Sequence, residues 1–451
     1  MNWKVHILNS EKTMAGRVRN KIGILAERDF ALLWSGRTIS QIGDYTLRIA
    51  FITYIIGQTD SATALSLAMA SLLIPSLVFY LVGGAVSDRV RSRRALMIGV
   101  DLVRFGMTAV LAVVITVTDS IPLLVGIAVL INVGEGFFRP ASFAFMRDVT
   151  PADRLVSANS AMSIGQQIGI IGGPLVGGIL VGTAGPALAF GFDAVTFLLS
   201  AVLIALIRTR GAAPADAASS ERRSLGADVR GGLAYVRSQR WLAISLTVGP
   251  TANAAFAGIL AVTVPIIMAP EGAADASYLG IYYALQAVGA LTGAVLLARR
   301  QPQQLGPLMF AMLGTMGVAL ALVGVIGRNP AAFAMAFVYG VGLHYFNTLY
   351  RTLLHETVPV DKTGRVSSVS DLSFNGAMPI GQALFGPLVA VFGARGATTG
   401  GGLLAAAACG LALSAPAIRA LRRPTDGHDE LLAAEAADVK PQPVTEQGRG
   451  A

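Results

Sequence analysis

Apolar runs long enough to cross a bilayer recur twelve times along this chain, and that recurrence limits what it can fold into. A span needs about 20 predominantly apolar residues at a rise of about 1.5 Å each. The runs lie at 32–56, 63–86, 95–117, 121–139, 156–181, 186–207, 241–268, 277–298, 306–326, 331–350, 367–392 and 398–418. The first carries Arg37, Asp44 and Arg48, yet apolar residues still dominate one of its faces. Hydrophobic residues make up 54% of the 451-residue chain and charged residues only 14%. A soluble chain would show about 25% charged residues. No single water-soluble core could hide so much apolar surface. The 51 glycines suit close helix approach in lipid. The expectation is an all-α membrane protein with twelve transmembrane helices.

Basic residues fix the expected orientation. Of 35 Lys and Arg residues, only Arg328 and Arg395 fall in loops on one side, and Arg37, Arg48 and Arg104 lie within spans. The rest flank the spans on the other side, which reads as cytoplasmic. Both termini are expected there, and the span number is even. The net charge of +9 is therefore topology rather than a nucleic-acid footprint. The expected divisions are a cytoplasmic N-terminal segment (1–30), a bundle at 31–207, a cytoplasmic linker at 208–240, a second bundle at 241–420 and a disordered tail at 421–451. The linker begins Ala/Ser-rich and flexible. It continues with Leu225, Val229, Leu233 and Val236 at helical spacing, as for an amphipathic helix on the membrane face. Residues 1–30 are polar and basic, unlike a secretory signal peptide. Cys409 stands alone, and His6, His344, His355 and His428 have no paired spacing, so no metal site is expected.

The chain repeats itself. Asp148-Val-Thr-Pro151-Ala-Asp153-Arg154 returns as Glu356-Thr-Val-Pro359-Val-Asp361-Lys362, 208 residues later. Gly173-Pro174-Leu175-Val176 returns as Gly386-Pro387-Leu388-Val389 after 213 residues, and Gly83 to Val86 is echoed by Thr292 to Val295 after 209. The linker falls at the junction of two six-span halves. Such parallel repeats place a substrate site near mid-membrane between them.

Two motifs carry a family resemblance. The loop after the second run reads Gly84-Ala-Val-Ser-Asp88-Arg89-Val-Arg91-Ser92-Arg93-Arg94. A small residue lets helices approach, a carboxylate can accept bonds from a helix N-terminus, and the arginines can hold carboxylates or head groups. This resembles the signature loop of the major facilitator superfamily at Gly84, Asp88, Arg89 and Arg93, with Arg91 and Ser92 departing from the pattern. The fifth run holds Gly172-Gly173-Pro174-Leu-Val-Gly177-Gly178. It resembles the kinked Gly-Pro-x-x-Gly-Gly helix of that family's exporters. Leu33-Trp34-Ser-Gly36 through Gly43-Asp44, Asp101 to Arg104, Gly136 to Ala141 and Gly364 to Ser367 resemble the branch of macrolide-efflux and siderophore-exporter-like secretion effectors. An arginine frequent in span four of drug exporters has no counterpart here: Asn132 is nearest, followed by Glu135.

Embedded charges are the candidate coupling and cavity groups, because each costs about 2.5–3.5 kcal/mol at bilayer depth. They are Asp44, Arg48, Asp101, Arg104, Glu135 and Asp193. Asp44 and Arg48, Asp101 and Arg104, and Glu135 and Arg139 each share a helix face and could pair there. Asp44 falls near mid-membrane, Glu135 and Arg139 toward the cytoplasmic end. Asp193 has no basic residue within one turn. It could load and release a proton, hydrogen-bond to backbone, or pair with Arg48. Asp371 and Asn375 read as helix-start groups. Phe137, Phe138, Tyr282, Tyr283, Tyr345, Phe346 and Phe374 could line an apolar cavity, Tyr283 and Phe346 foremost.

The resemblance implies a secondary active exporter of a small hydrophobic molecule (a drug, antibiotic or siderophore-like compound) by alternating access with proton antiport. It implies a monomer in the plasma membrane whose partners are the substrate, protons and membrane lipids, without a cofactor. An importer or a transporter-like sensor is the alternative. An embedded enzyme is disfavoured, since no nucleophile motif or metal-ligand cluster occurs; nor is there a nucleotide-binding Gly-Lys-Ser/Thr loop.

Overall fold

The computed structural model describes residues 23–208, 225–299 and 302–423. The expected N-terminal segment up to residue 22, the Ala/Ser-rich part of the linker and the tail from residue 424 lie outside the described residues. Each of the twelve apolar runs falls on helix, and no strand occurs among the described residues.

Local sequence sets the helix starts. Ser61 and Ser92 accept hydrogen bonds from the Ala64 and Ala95 amides at 3.2 Å, capping α2 (Ala62–Arg89) and α3 (Arg93–Val117). Proline opens α4 (Ile121–Asp148) and α6 (Pro186–Ala205), where its missing N–H costs nothing. Preceding and intervening are α1 (Arg28–Gln58) and α5 (Leu155–Ala184). Next come α7 (Leu225–Ser238) and α8 (Arg240–Gly258), which runs through a π-helical turn at Ile259–Thr263 to Met268. The remainder are α9 (Ala276–Arg299), α10 (Leu305–Ile326), α11 (Ala331–Thr357) and α12 (Val360–Ser414). Gly393, at φ 70°, breaks α12 into two rods that hold the last two apolar runs.

Among the described residues, nine helical stretches are long and apolar enough to span a membrane, with the broken α12 counted once. The charge-bearing α1 and α11 are not among them. The fourth run differs from expectation. Arg139 and Pro140 suggest an end at 139, but α4 continues to Asp148 with Pro140 inside it. One proline removes one backbone bond, and Ala141, Phe145 and Met146 beyond it are buried. Outward-facing Val113, Leu199, Val391 and Leu404 belong to a belt of exposed large apolar side chains, as a bilayer solvent requires.

Helix partners repeat across the chain. In the first half α1 packs on α5 and α6, α2 on α4, and α3 on α4 and α6; in the second α8 packs on α12, α9 on α11, and α10 on α11 and α12. The halves join where α5 meets α9 and α2 meets α12. Those junctions involve Gly178 with Ala276 and Ser277, and Gly386 with Thr63 and Ser66. Both lie at the end away from the basic loops, here called the far end.

The Gly-Pro helix, α5, serves both neighbours with backbone. Gly165, Gly169, Gly173 and Gly177, four residues apart, face α1, where a β-carbon would press on Thr38, Gln41, Tyr45 and Thr46 respectively. The Thr46 hydroxyl donates to the Gly173 carbonyl at 3.0 Å, and the Trp34 indole to the Ala161 carbonyl at 2.7 Å. Its other face meets α9, where the Ser277 hydroxyl donates to the Gly178 carbonyl at 3.0 Å and Gly280 abuts the Pro174 carbonyl. The α7 helix lies on α12, with Gly232 against Arg365 and Val369 and Val236 buried.

Candidate transport site

Arg104 stands midway along α3 with its side chain only 3% exposed. One guanidinium nitrogen lies 2.5 Å from Asp44 Oδ1 on α1, and the other 3.2 Å from Glu135 Oε2 on α4. The guanidinium also sits 4.0 Å from the centre of the Phe197 ring on α6. One cation thus ties four helices. Gly134 makes room for it, since a β-carbon there would lie 2.8 Å from Arg104 Cγ. Asp44 and Glu135 remain about one-third exposed, at 33% and 31%.

Two further carboxylates lie beside this centre. Asp101 is fully buried beside the Ser200 hydroxyl and forms no ion pair among the described residues. Asp193 is buried against Gly43; its Oδ1 accepts from the Thr196 hydroxyl at 3.2 Å, while Oδ2 has no partner among the described residues. Burying a carboxyl group without an ion-pair partner is costly, so neither position is explained by packing alone.

This geometry corrects the pairing read along single helices. Arg48 and Arg139 form no ion pair among the described residues; they lie 5.8 Å from the Tyr45 ring and 5.7 Å from the Tyr80 ring. Asp101 does not bond Arg104. A planar guanidinium with five donors reaches carboxylates on two helices, which a partner one turn away on the same helix cannot match. Because α4 extends to Asp148, Glu135 lies near its middle, level with Asp44, rather than toward one end.

The signature loop is bound mainly by its later residues. Arg93 pairs with Asp148 at 3.2 Å, and Arg94 donates to the Ile204 carbonyl at 3.1 Å and to the Ala205 carbonyl at the end of α6. Arg89 is exposed, and the Asp88 side chain lies outside the described residues. The close helix approach falls one residue earlier than expected. Gly83 meets the Gly136 carbonyl and Phe137, whereas Gly84 has open space.

The second half encloses a cavity of about 250 Å³ between α8, α10, α11 and α12. Its wall is aromatic: Phe346 and Tyr350 stack at 6.0 Å, and Phe374 tilts against them at 5.9 and 5.4 Å. Arg351, Asp371, Asn347 and Asn375 also line it. Asp371 and Asn375 are therefore not helix-start groups, because α12 begins at Val360, about three turns earlier. Phe346 and Phe374 line this cavity as expected of the aromatics, but Tyr283 does not. Its hydroxyl donates to the Leu260 carbonyl. Sequence reading missed Asn347 and Arg351. The signal was there: Asn347, Arg351 and His355 form a polar stripe at four-residue spacing on an apolar run.

A duplicated bundle of apolar helices around embedded charges defines a polytopic membrane transporter. The chain belongs to the Major Facilitator Superfamily, which it matches over residues 33–381. It is 26% identical over 369 residues to macrolide efflux protein A of Streptococcus pyogenes, covering 80% of this chain and 90% of that protein. It is 27% identical over 350 residues to the multidrug efflux pump Tap of Mycolicibacterium fortuitum, covering 75% and 84%. Among solved structures, the nucleoside transporter NupG matches with a TM-score of 0.66 at 12% identity, covering 85% of this chain and 98% of that one. A bacterial homologue of ferroportin in an inward-facing state matches at 0.64 with 17% identity, covering 86% and 99%. These structural likenesses establish the fold.

Proposed function

We propose that this chain is a secondary active exporter that couples proton entry to the efflux of a small, hydrophobic drug-like molecule. It sits in the plasma membrane as a monomer with both termini cytoplasmic, its two six-helix bundles rocking about the junctions of α5 with α9 and α2 with α12. The observation that carries the coupling is the double bridge from Arg104 to Asp44 and Glu135. Both carboxylates are reachable while the cation they share is buried. Protonating Asp44 releases its hold on Arg104, so proton occupancy biases how α1 is held against α3 and α4. Asp101 and Asp193 extend the acidic cluster inward from this centre. The efflux direction is supported by the macrolide and multidrug efflux relatives and by the Gly-Pro helix packed between the halves. The loop of Arg89 and Arg93 is the cytoplasmic gate.

Everted membrane vesicles test this. Acidifying the lumen drives uptake of a radiolabelled macrolide, and a protonophore or Asp44→Asn abolishes it. Uptake that proceeds equally without a proton gradient would overturn the coupling.

A further inference from the structure

The two halves repeat in architecture but not in chemistry. Asp44, Asp101, Glu135 and Asp193 cluster in the first half, whereas the second half has Asp371 at comparable depth in a helix. The second half has the aromatic-walled cavity instead. One hydrogen bond sets its register: the Tyr350 hydroxyl donates to the Ser370 hydroxyl at 2.7 Å, fixing α11 against α12 at one level. Arg351 and Asp371 directly follow these two residues, so a cation and an anion stand within about 3 Å of one height on facing helices. Both are exposed, and among the described residues neither is in an ion pair.

The neighbouring helices run in opposite directions here. Stepping four residues back along α11 and four forward along α12 therefore moves the same way, one turn deeper. From Tyr350 and Ser370 that step reaches Phe346 and Phe374. From Arg351 and Asp371 it reaches Asn347 and Asn375, whose side-chain amides are exposed and make no hydrogen bond among the described residues. The lining is thus layered, with opposite charges at the rim and an aromatic wall with two uncommitted amides below. Gly249 on α8, facing the aromatic wall, admits the Phe374 ring, which a β-carbon would meet at 2.6 Å.

Ligand pockets usually measure about 300–1,000 Å³. A volume of about 250 Å³ suits one ring system with its polar substituents held at the mouth. The rim has no net formal charge, which disfavours a simple cation or anion. Arg351 offers a fork for a carboxylate, and Asp371 an acceptor for an ammonium group. We propose that this cavity is the substrate subsite of the exporter and takes an aromatic zwitterion, its ring against Phe346 and Phe374, its carboxylate on Arg351 and its ammonium on Asp371. The assignment rests on the transport reading above, but binding can be measured without a gradient.

The test is a fluorescence titration of the full chain in nanodiscs with Nε-dansyl-lysine, a zwitterion, alongside its cationic methyl ester and its anionic Nα-acetyl derivative. The zwitterion is expected to bind about tenfold more tightly than either, the worth of one charge-assisted contact. Arg351→Gln erases its advantage over the ester, and Asp371→Asn its advantage over the acetylated form. Both variants alter exposed side chains, and their elution and circular dichroism serve as folding controls. Equal affinity for the three probes, or titrations that neither substitution moves, would overturn the assignment. Selective binding without gradient-driven uptake in vesicles would instead sink the exporter reading and leave the cavity in place. Gradient-driven macrolide uptake with no dansyl-lysine binding would do the reverse.

Discussion

Removing the two carboxylates that hold Arg104 should be strongly non-additive. The perturbations are Asp44→Asn, Glu135→Gln and the double substitution. Charges about 4 Å apart attract by about 4 kcal/mol at an effective dielectric constant of 20. Asp44 and Glu135 are about one-third exposed, so solvent and desolvation reduce each net contribution to about 1 kcal/mol. Either single substitution leaves Arg104 one counter-charge and should cost about that much. The double substitution leaves a guanidinium whose side chain is only 3% exposed without either bridge, a situation that costs about 3–5 kcal/mol. The excess over the summed single effects should therefore be about 1–3 kcal/mol. Unfolding in mixed micelles, followed by helical circular dichroism with increasing sodium dodecyl sulfate, gives all three values. Additivity within about 0.5 kcal/mol would refute the reasoning. It would mean that Asp101 or Asp193, rather than the bridged pair, balances Arg104.

Other parts of the structure give simpler expectations. Gly178→Leu places a side chain against the Ala276 carbonyl and Ser277, at 2.8 and 3.0 Å from the β-carbon, and should hold the far-end junction open. A cysteine placed at the buried Ala276 should then react with maleimide several-fold faster, and an unchanged rate would argue against that contact. Arg395→Ala removes donors to the Gly324 and Val325 carbonyls at the end of α10 and should lower unfolding stability by about 0.5–1 kcal/mol. Cys409 is fully buried beside Gly314, so it should resist maleimide in the folded chain and react after denaturation. Fast labelling of the folded protein would contradict the packing of α10 on α12.

Most of the fold was legible because a bilayer span has a minimum length and a simple composition. The turn near Gly185 and the break at Gly393 both fall between apolar runs. The end of α4 was misread because Arg139-Pro140 mimics a terminus, and only tertiary burial of Phe145 and Met146 shows why the helix continues. The charged residues of the first half were identified, but their partners were not. Spacing along one helix predicts neighbours on its own face, whereas a guanidinium selects partners from adjoining helices. Arg48 and Arg139 lie near aromatic rings instead. The cavity of the second half was less visible, because its residues come from four helices and only the register of α11 against α12 brings Arg351 and Asp371 to neighbouring levels.

The glycine faces of α5 carry a consequence for how fast such a molecule can change shape. Side chains that interdigitate must find new rotamers whenever two helices slide, and each search costs conformational entropy. Gly178, Gly182 and Gly280 offer no rotamers to re-sort where α5 meets α9. In the proposed rocking of the halves the junction serves as a bearing, seated on α1 by one face and held toward α9 by backbone contacts and the Ser277 bond to the Gly178 carbonyl. Reorientation there has a shallow energetic ripple, and a larger residue on either face would act as grit.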